Sequence, residues 1–287
     1  IAVLKFIAFI LTLSSSMLAE AIHSLADSGN QLLLLVGGKR AKKEASPEHP
    51  FGYGRERYIY AFIVSIVLFS VGGLFALYEA WGKIQHPHGI EGDFWWVPLA
   101  VLVGAIIAES FSFRTAIRES NPLRGKQSWV HFIRNAKQPE LPVILLEDFG
   151  ALLGLVFALF GVSLTLVTGN GIWDALGTAM IGLLLVAIAA ILAVETKSLL
   201  LGESATKADV AKIRGAIEAD GTTIIHIKTM HLGPEELLVA AKIGIGAAES
   251  GRDIAAAIDA TEVRIREAVP TARVIYLEPD VERVSAS

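Results

Sequence analysis

The 287-residue chain contains no cysteine, and this absence excludes several kinds of chemistry at once. Without thiols there can be no disulfide framework, no thiolate zinc site and no cysteine nucleophile. Charged residues are also scarce: they make up 19% of the chain, against about 25% in average soluble domains, whereas 53% of its residues are apolar. This composition excludes a disordered chain and argues against an ordinary soluble enzyme.

The chain also lacks the excess of positive charge that is typical of nucleic-acid-binding proteins. Its 29 acidic residues outnumber its 25 basic ones, and no basic cluster has aromatic residues interleaved with it, so we expect no nucleic-acid partner. Acidic and basic residues balance over residues 1–200, which leaves the whole net charge of −4 in residues 201–287. This difference predicts two domains, a membrane domain over 1–200 and a cytoplasmic domain over 201–287.

Long apolar segments dominate the first domain, and a helix needs roughly 20 such residues to cross a bilayer. Six transmembrane helices are predicted, near residues 1–15, 18–38, 58–82, 94–117, 140–167 and 173–195. The first is short, but no basic region precedes it and no small-residue cleavage site follows. We therefore expect a retained helix rather than a signal peptide. The predicted fold class is an α-helical membrane protein followed by a small α+β domain.

Basic residues are concentrated in alternate loops, and this pattern predicts the orientation of the spans. The loops after spans two and four are rich in Lys and Arg, whereas those after spans one, three and five hold only Lys83. Cytoplasmic loops collect Lys and Arg, so the rich loops and both termini should face the cytoplasm. The protein would then lie in a bacterial inner membrane or in an organelle membrane.

The polar tail after about residue 202 combines helical and strand-like patterns. Apolar residues recur at helical spacing over 206–219 and 252–268, and β-rich segments occupy 222–232, 236–245 and 272–279. The order αββαβ predicts a compact domain with helices on one face of a sheet. No set of catalytic residues is evident in it.

Several ionisable side chains lie inside the predicted spans, where charge is costly and marks a candidate functional site. In span two, His23 and Asp27 are four residues apart and so share one helix face, and Glu20 and Asn30 extend this polar stripe. The other spans contribute Glu109 in span four, Glu147 and Asp148 in span five, and Asp174 near the outer end of span six.

An imidazole combined with carboxylates is a suitable ligand set for a borderline divalent cation such as Zn²⁺. A tetrahedral site needs about four ligands, which two from span two and one or two from span five would supply. The alternative is that His23 and Asp27 are a neutralised pair that only joins two helices. The second acidic pair in span five favours the metal site, because several buried carboxylates need a cation or protons to neutralise them.

Other ionisable residues are weaker candidates. His86 and His88 fall in an outer loop, where a solvated loop is the favoured interpretation. Glu109 has Arg114 as an alternative partner. Asp174 is expected near the N-terminus of its own helix, where a negative charge interacts favourably with the helix dipole.

Four segments of the chain resemble the cation diffusion facilitator family. They are SSMLAEAIHSLADSGNQ (15–31), HPFGYGRERY (49–58), ILLEDFGALLG (144–154) and LLLGESA (199–205). The adjacent Glu147 and Asp148 are similar to the branch that contains the mitochondrial zinc transporter and its bacterial relatives. The resemblance covers essentially the whole chain. It implies a homodimer in the lipid bilayer that exports a divalent metal in exchange for protons, with Zn²⁺ as the transported substrate and no other cofactor.

The resemblance also implies a four-residue metal site formed by spans two and five. His23 and Asp27 match the ligands of span two. Asp148 matches the acidic ligand of span five, because Gly154 follows it by six residues.

The fourth position of that site departs from the family pattern. It is His or Asp in many members, and here it is Ile144. Glu147 is the favoured substitute because it lies at the same depth as Asp148. Glu109, which would approach from another span, and a water molecule are the alternatives.

Two further metal sites that occur in some family members are not predicted in this chain. The cytoplasmic loop keeps His49 but has Ser46 and Tyr53 nearby. The tail has His226 and His231 without later histidines, which favours a metal-free dimerisation domain.

Three other functions are alternatives to zinc export. A transporter for Mn²⁺ or another divalent cation is favoured if the site consists mostly of carboxylates. A non-transporting membrane scaffold stays open because of Ile144. An intramembrane metalloenzyme is disfavoured, because the sequence has no HExxH motif, so we predict that the protein is not an enzyme.

Overall fold

The computed structural model describes residues 2–87, 95–246 and 250–281. The chain divides into two compact units, which are residues 1–39 with 57–197 and residues 40–56 with 198–287. The sequence prediction placed the domain boundary at residue 200. Segment 40–56 is grouped with the tail, and neither composition nor hydropathy indicated this.

The first unit is built from helices. Its elements are α1 (Ala2–Thr12), α2 (Ser15–Arg40), α3 (Glu56–Val67), a π-helical segment (Leu68–Leu74), α4 (Phe75–Gln85), α5 (Val97–Arg124), α6 (Trp129–Asn135), α7 (Glu140–Thr168) and α8 (Ile172–Leu201). The segment from α3 to α4 is continuous and forms one helical rod over Glu56–Gln85.

Within the described residues, four helical stretches are long and apolar enough to cross a membrane. They are Glu56–Gln85, Val97–Arg124, Glu140–Thr168 and Ile172–Leu201, and they correspond to predicted spans three to six. Helix α1 has only 11 residues, and α2 has 26 but interrupts its apolar sequence with the polar stripe. A helical membrane domain is thereby confirmed, whereas the total of six spans stays a prediction. Residues 1 and 94, where two predicted spans begin, lie outside the described residues.

Helices α7 and α8 approach each other closely because glycines face each other at their contact. A Cβ atom added to Gly161 would lie 2.8 Å from the carbonyl oxygen of Trp173, and one added to Gly177 would lie 2.9 Å from that of Phe157. Small residues permit this kind of close backbone approach between membrane helices. The contact therefore fixes α8 against α7, the helix that carries Glu147 and Asp148.

The second unit has the element order αββαβ that the sequence predicted. Helices α9 (Lys207–Glu218) and α10 (Gly251–Ala268) flank strands β1 (Thr223–Gly233), β2 (Glu236–Ile245) and β3 (Val274–Val281). The sheet has the order β1-β2-β3, with β1 antiparallel and β3 parallel to β2. Alternate residues of β2 are buried in the core of this unit: Leu237, Val239, Ala241 and Ile243. They pack with Ile213 and Ile217 of α9 and with Ile265 of α10.

Segment 40–56 joins this unit because it packs against the β1–β2 hairpin. A Cβ atom on Gly233 would lie 2.8 Å from the Cα atom of Gly54, so the two backbones meet directly. The Arg55 guanidinium lies 3.4 Å from the Met230 sulfur. These contacts involve residues far apart in the sequence, which explains why hydropathy could not detect them.

Candidate metal centre

The N-terminus of α2, the helix that carries the polar stripe, is held by a carboxylate from α8. Asp174 is fully buried and accepts hydrogen bonds from the backbone nitrogens of Ser15 (2.7 Å) and Ser16 (3.3 Å) and from the Ser14 hydroxyl (2.9 Å). Asp174 lies in the first turn of α8, as expected, but its carboxylate caps a neighbouring helix. Backbone N–H groups at a helix N-terminus need such acceptors.

The connection between α1 and α2 is fixed from the other side by a lysine of α4. Leu13 adopts a left-handed backbone conformation (φ 53°), which is unusual for a residue other than glycine. The Lys83 ammonium group donates a hydrogen bond to the Leu13 carbonyl oxygen at 3.2 Å. Lys83, the single basic residue in the loops predicted after spans one, three and five, therefore helps to fix the start of α2.

His23 and Asp27 form the centre of the site on α2. The His23 Nε2 and Asp27 Oδ2 atoms are 3.6 Å apart, which is too long for a hydrogen bond. The His23 side chain is 1% exposed, and neither of its ring nitrogens has a hydrogen-bond partner among the described residues. Buried polar atoms are nearly always satisfied. The unpartnered imidazole nitrogens and Asp27 Oδ1 are thus available as ligands for a cation.

Helix α7 brings two buried carboxylates, each held by a different neighbouring helix. Glu147 Oε1 accepts a hydrogen bond of 2.6 Å from the Asn30 side-chain amide on α2. Asp148 Oδ2 accepts one of 2.9 Å from the Ser112 hydroxyl on α5. The carboxylates therefore diverge, as their positions about 100° apart on one helix require.

The predicted site residues share one electrostatic environment. The Asp27 carboxylate interacts with the charges of His23 and Glu109, the Glu147 carboxylate with those of Asp27 and Asp148, and the Asp148 carboxylate with that of Glu109. Within the part of the chain that the structure describes, however, no three His, Asp or Glu residues are grouped closely enough to hold a metal ion. His23 and Asp27 remain the pair with a close approach, 3.6 Å between Nε2 and Oδ2.

Residue 144, the position that departs from the family pattern, has an apolar side chain in apolar surroundings. Ile144 is partly buried and packs against the hydrophobic core of the first unit. It contributes no ligand, so a metal at His23 and Asp27 would need further ligands, for which Asp148, Glu147, Glu109 and water are the predicted candidates.

The sequence reasoning missed the lysine beside this site. Lys5 on α1 is fully buried, and its ammonium group lies 2.8 Å from Glu20 Oε2 and 2.8 Å from the Ser24 hydroxyl. The available signal was a single lysine in an otherwise apolar segment.

The remaining histidines were weaker candidates in the sequence. His86, His131 and His226 are exposed, and His131 contacts Gln127. His49 stacks on Tyr53, whose hydroxyl lies 3.2 Å from that of Ser46. His88 lies outside the described residues.

Ionisable side chains buried inside a membrane domain mark candidate ion or proton pathways, and this domain buries an imidazole and several carboxylates between its helices. The family itself follows from comparison with known proteins. Residues 1–201 match the cation efflux transmembrane domain, so the chain belongs to the cation efflux, or cation diffusion facilitator, family. The resemblance found in the sequence motifs is confirmed.

Sequence similarity to two other proteins is consistent with this family assignment. The chain is 34% identical over 233 residues to the mitochondrial proton-coupled zinc antiporter SLC30A9 of Homo sapiens. The aligned region covers 80% of this chain and 41% of that protein. It is 25% identical over 250 residues to metal tolerance protein C4 of Arabidopsis thaliana, covering 84% and 53%. The chain thus matches about half or less of the length of these relatives.

Proposed function

We propose that this protein is a Zn²⁺/H⁺ antiporter that exports zinc from the cytoplasmic side of its membrane. The observation that carries the proposal is the buried His23 imidazole in a helix of the membrane domain. Its two nitrogens have no hydrogen-bond partner among the described residues, and Nε2 lies 3.6 Å from Asp27 Oδ2. An imidazole beside a carboxylate favours zinc over the harder cations that prefer oxygen ligands alone. The 34% identity to a proton-coupled zinc antiporter supports the same ion and counter-ion.

The proposed architecture has six spans, both termini in the cytoplasm, and two copies of the chain. Helices α1 and α2 would be the first two spans, since α2 is long enough at 26 residues and its polar stripe is largely buried within the protein. The alternation of basic loops supports the orientation. The second unit would serve as a dimerisation domain.

The proposed ligands are His23, Asp27 and Asp148, with Glu147 as the fourth. Glu147 is favoured over Glu109 because it is buried at 4% exposure and interacts electrostatically with both Asp27 and Asp148. Binding through Glu147 would exchange its hydrogen bond from Asn30 for the metal ion. Glu109 is partly exposed and approaches from α5.

Proton exchange follows from the chemistry of these ligands. Imidazole nitrogens and carboxylate oxygens bind metal only when they carry no proton, so arrival of the metal displaces protons and its departure allows them to return. Several ionised carboxylates buried near one another make an empty, fully ionised site costly. Metal and protons would therefore occupy the site alternately.

This coupling predicts that zinc uptake into proteoliposomes raises the internal pH. Protons should leave as zinc enters, and an outward proton gradient should accelerate the uptake. The measurement is the fluorescence of a pH-sensitive dye trapped with the reconstituted protein, recorded together with ⁶⁵Zn²⁺ uptake. Zinc uptake that leaves the internal pH unchanged and does not respond to an imposed gradient would indicate a uniporter instead.

A further inference from the structure

One buried ion pair lies beside the proposed metal centre without belonging to it. Lys5 on α1 and Glu20 on α2 are both fully buried, and the Lys5 ammonium group lies 2.8 Å from Glu20 Oε2. Its second hydrogen bond goes to the Ser24 hydroxyl, also at 2.8 Å. Glu20 Oε2 and Ser24 therefore hold the ammonium group next to the helix that carries His23.

Glu20 is placed so that it could bind the same cation as His23. The two residues are three apart on α2, and residues at this spacing are neighbours on the helix surface. The charges of Lys5 and Glu20 both act on the Asp27 carboxylate, so the pair and the proposed ligands are in the same electrostatic environment.

The second carboxylate oxygen of Glu20, Oε1, lies near Gly154 on α7, a residue that has no side chain. A Cβ atom added to Gly154 would lie 2.9 Å from Glu20 Oε1. This oxygen is buried and has no hydrogen-bond partner among the described residues. The absence of a side chain at Gly154 thus gives room to a carboxylate oxygen between α2 and α7, the helices that carry the proposed ligands.

We propose that Lys5 determines the metal selectivity of the site by neutralising Glu20 and keeping this carboxylate out of the coordination shell. The inference rests on the proposed transport function, which it deepens. With Lys5 in place, the metal meets one imidazole and the carboxylates of the proposed ligand set. Without the ammonium group, Glu20 becomes a buried carboxylate with no counter-charge, and such a group gains strongly from binding a cation.

An additional carboxylate changes which cation the site prefers. Carboxylate-rich sites suit harder ions such as Mn²⁺, whereas imidazole suits Zn²⁺. Replacing Lys5 with the uncharged Met removes the ammonium group at nearly the same side-chain length. The Lys5→Met variant should therefore transport Mn²⁺ better, relative to Zn²⁺, than the unsubstituted protein does.

The test compares initial rates of ⁵⁴Mn²⁺ and ⁶⁵Zn²⁺ uptake by the full chain in proteoliposomes. We expect Lys5→Met to raise the Mn²⁺ to Zn²⁺ rate ratio by about tenfold, which corresponds to about 1.4 kcal/mol. The double variant Lys5→Met/Glu20→Gln lacks both charges and should restore the original ratio. Its zinc uptake should stay within about twofold of the unsubstituted rate, or ~0.4 kcal/mol.

Three results would overturn the proposal. They are an unchanged ratio in Lys5→Met, a raised ratio that persists in the double variant, and loss of zinc uptake in the double variant. If Lys5→Met does not fold, the double variant still tests the premise that Glu20 is not a zinc ligand, because loss of its zinc uptake would overturn the proposal. Absence of metal uptake by the unsubstituted protein would overturn the proposed function itself.

Discussion

Replacing His23 with Ala is expected to abolish saturable zinc uptake in proteoliposomes while the protein still inserts and dimerises. Asp148→Ala should have the same effect. Removing a residue that only hydrogen-bonds to a metal ligand lowers metal affinity or activity by roughly 10–100-fold. Removing a ligand itself should lower the zinc uptake rate by more than this. The initial rate of ⁶⁵Zn²⁺ uptake measures the effect, and size-exclusion chromatography in detergent measures assembly.

Matched controls separate ligand loss from general damage. His226→Ala and Asp259→Ala replace an exposed histidine on β1 and an exposed aspartate on α10. Both should transport zinc at the unsubstituted rate. If His23→Ala and Asp148→Ala also transport normally, these two residues are not part of the transport site. If the variants fail to assemble, the two residues have a structural role instead.

The Asp174→Ala variant is expected to lose more stability than any substitution at an exposed helix cap. Removing the carboxylate leaves the backbone nitrogens of Ser15 and Ser16 and the Ser14 hydroxyl without their buried acceptor. An unsatisfied buried donor costs about 1–3 kcal/mol, so the variant should unfold at a clearly lower temperature. Because α2 would lose its anchor, zinc uptake should fall as well. Thermal unfolding of the detergent-solubilised protein measures the loss.

Asp209→Ala is the control for that experiment. Asp209 lies in the first turn of α9, where its carboxylate accepts a hydrogen bond from Thr206 at an exposed position. Its loss should lower the unfolding temperature only slightly, since exposed groups regain hydrogen bonds from water. Equal unfolding temperatures for Asp174→Ala and Asp209→Ala would contradict the anchoring role assigned to Asp174.

Much of the fold was predictable because hydropathy and periodicity are local signals. The segments predicted as spans three to six are helices in the structure, and the αββαβ order of the tail agrees element by element. Helix α2 was harder to interpret as a span, because its polar stripe lowers the very signal that identifies membrane helices. The association of segment 40–56 with the tail depends on Gly54 and Gly233, which are distant in sequence, so no local pattern contains it.

The site was predictable only where its geometry lies within one helix. The four-residue spacing of His23 and Asp27 places them together on α2, and the structure shows them 3.6 Å apart. The pairing of Asn30 with Glu147, of Ser112 with Asp148 and of Lys5 with Glu20 depends on how helices pack. Spacing along the chain carries no information about these partners.

Asp174 illustrates the same limit. The sequence places it correctly at the start of a helix, and the favourable interaction expected there was with that helix alone. The structure adds that its carboxylate accepts backbone hydrogen bonds from α2. Only the packing of α8 beside the α1–α2 connection reveals this second role.

A zinc-bound structure of the full chain tests the central claim most directly. We predict one zinc ion in the membrane domain, with a nitrogen of His23 and carboxylate oxygens of Asp27 and Asp148 within about 2.0–2.2 Å, and with Glu147 as the fourth ligand. Anomalous scattering at the zinc edge would identify the ion. Zinc bound away from His23 and Asp27, or a membrane domain that stays empty at saturating zinc, would contradict the account.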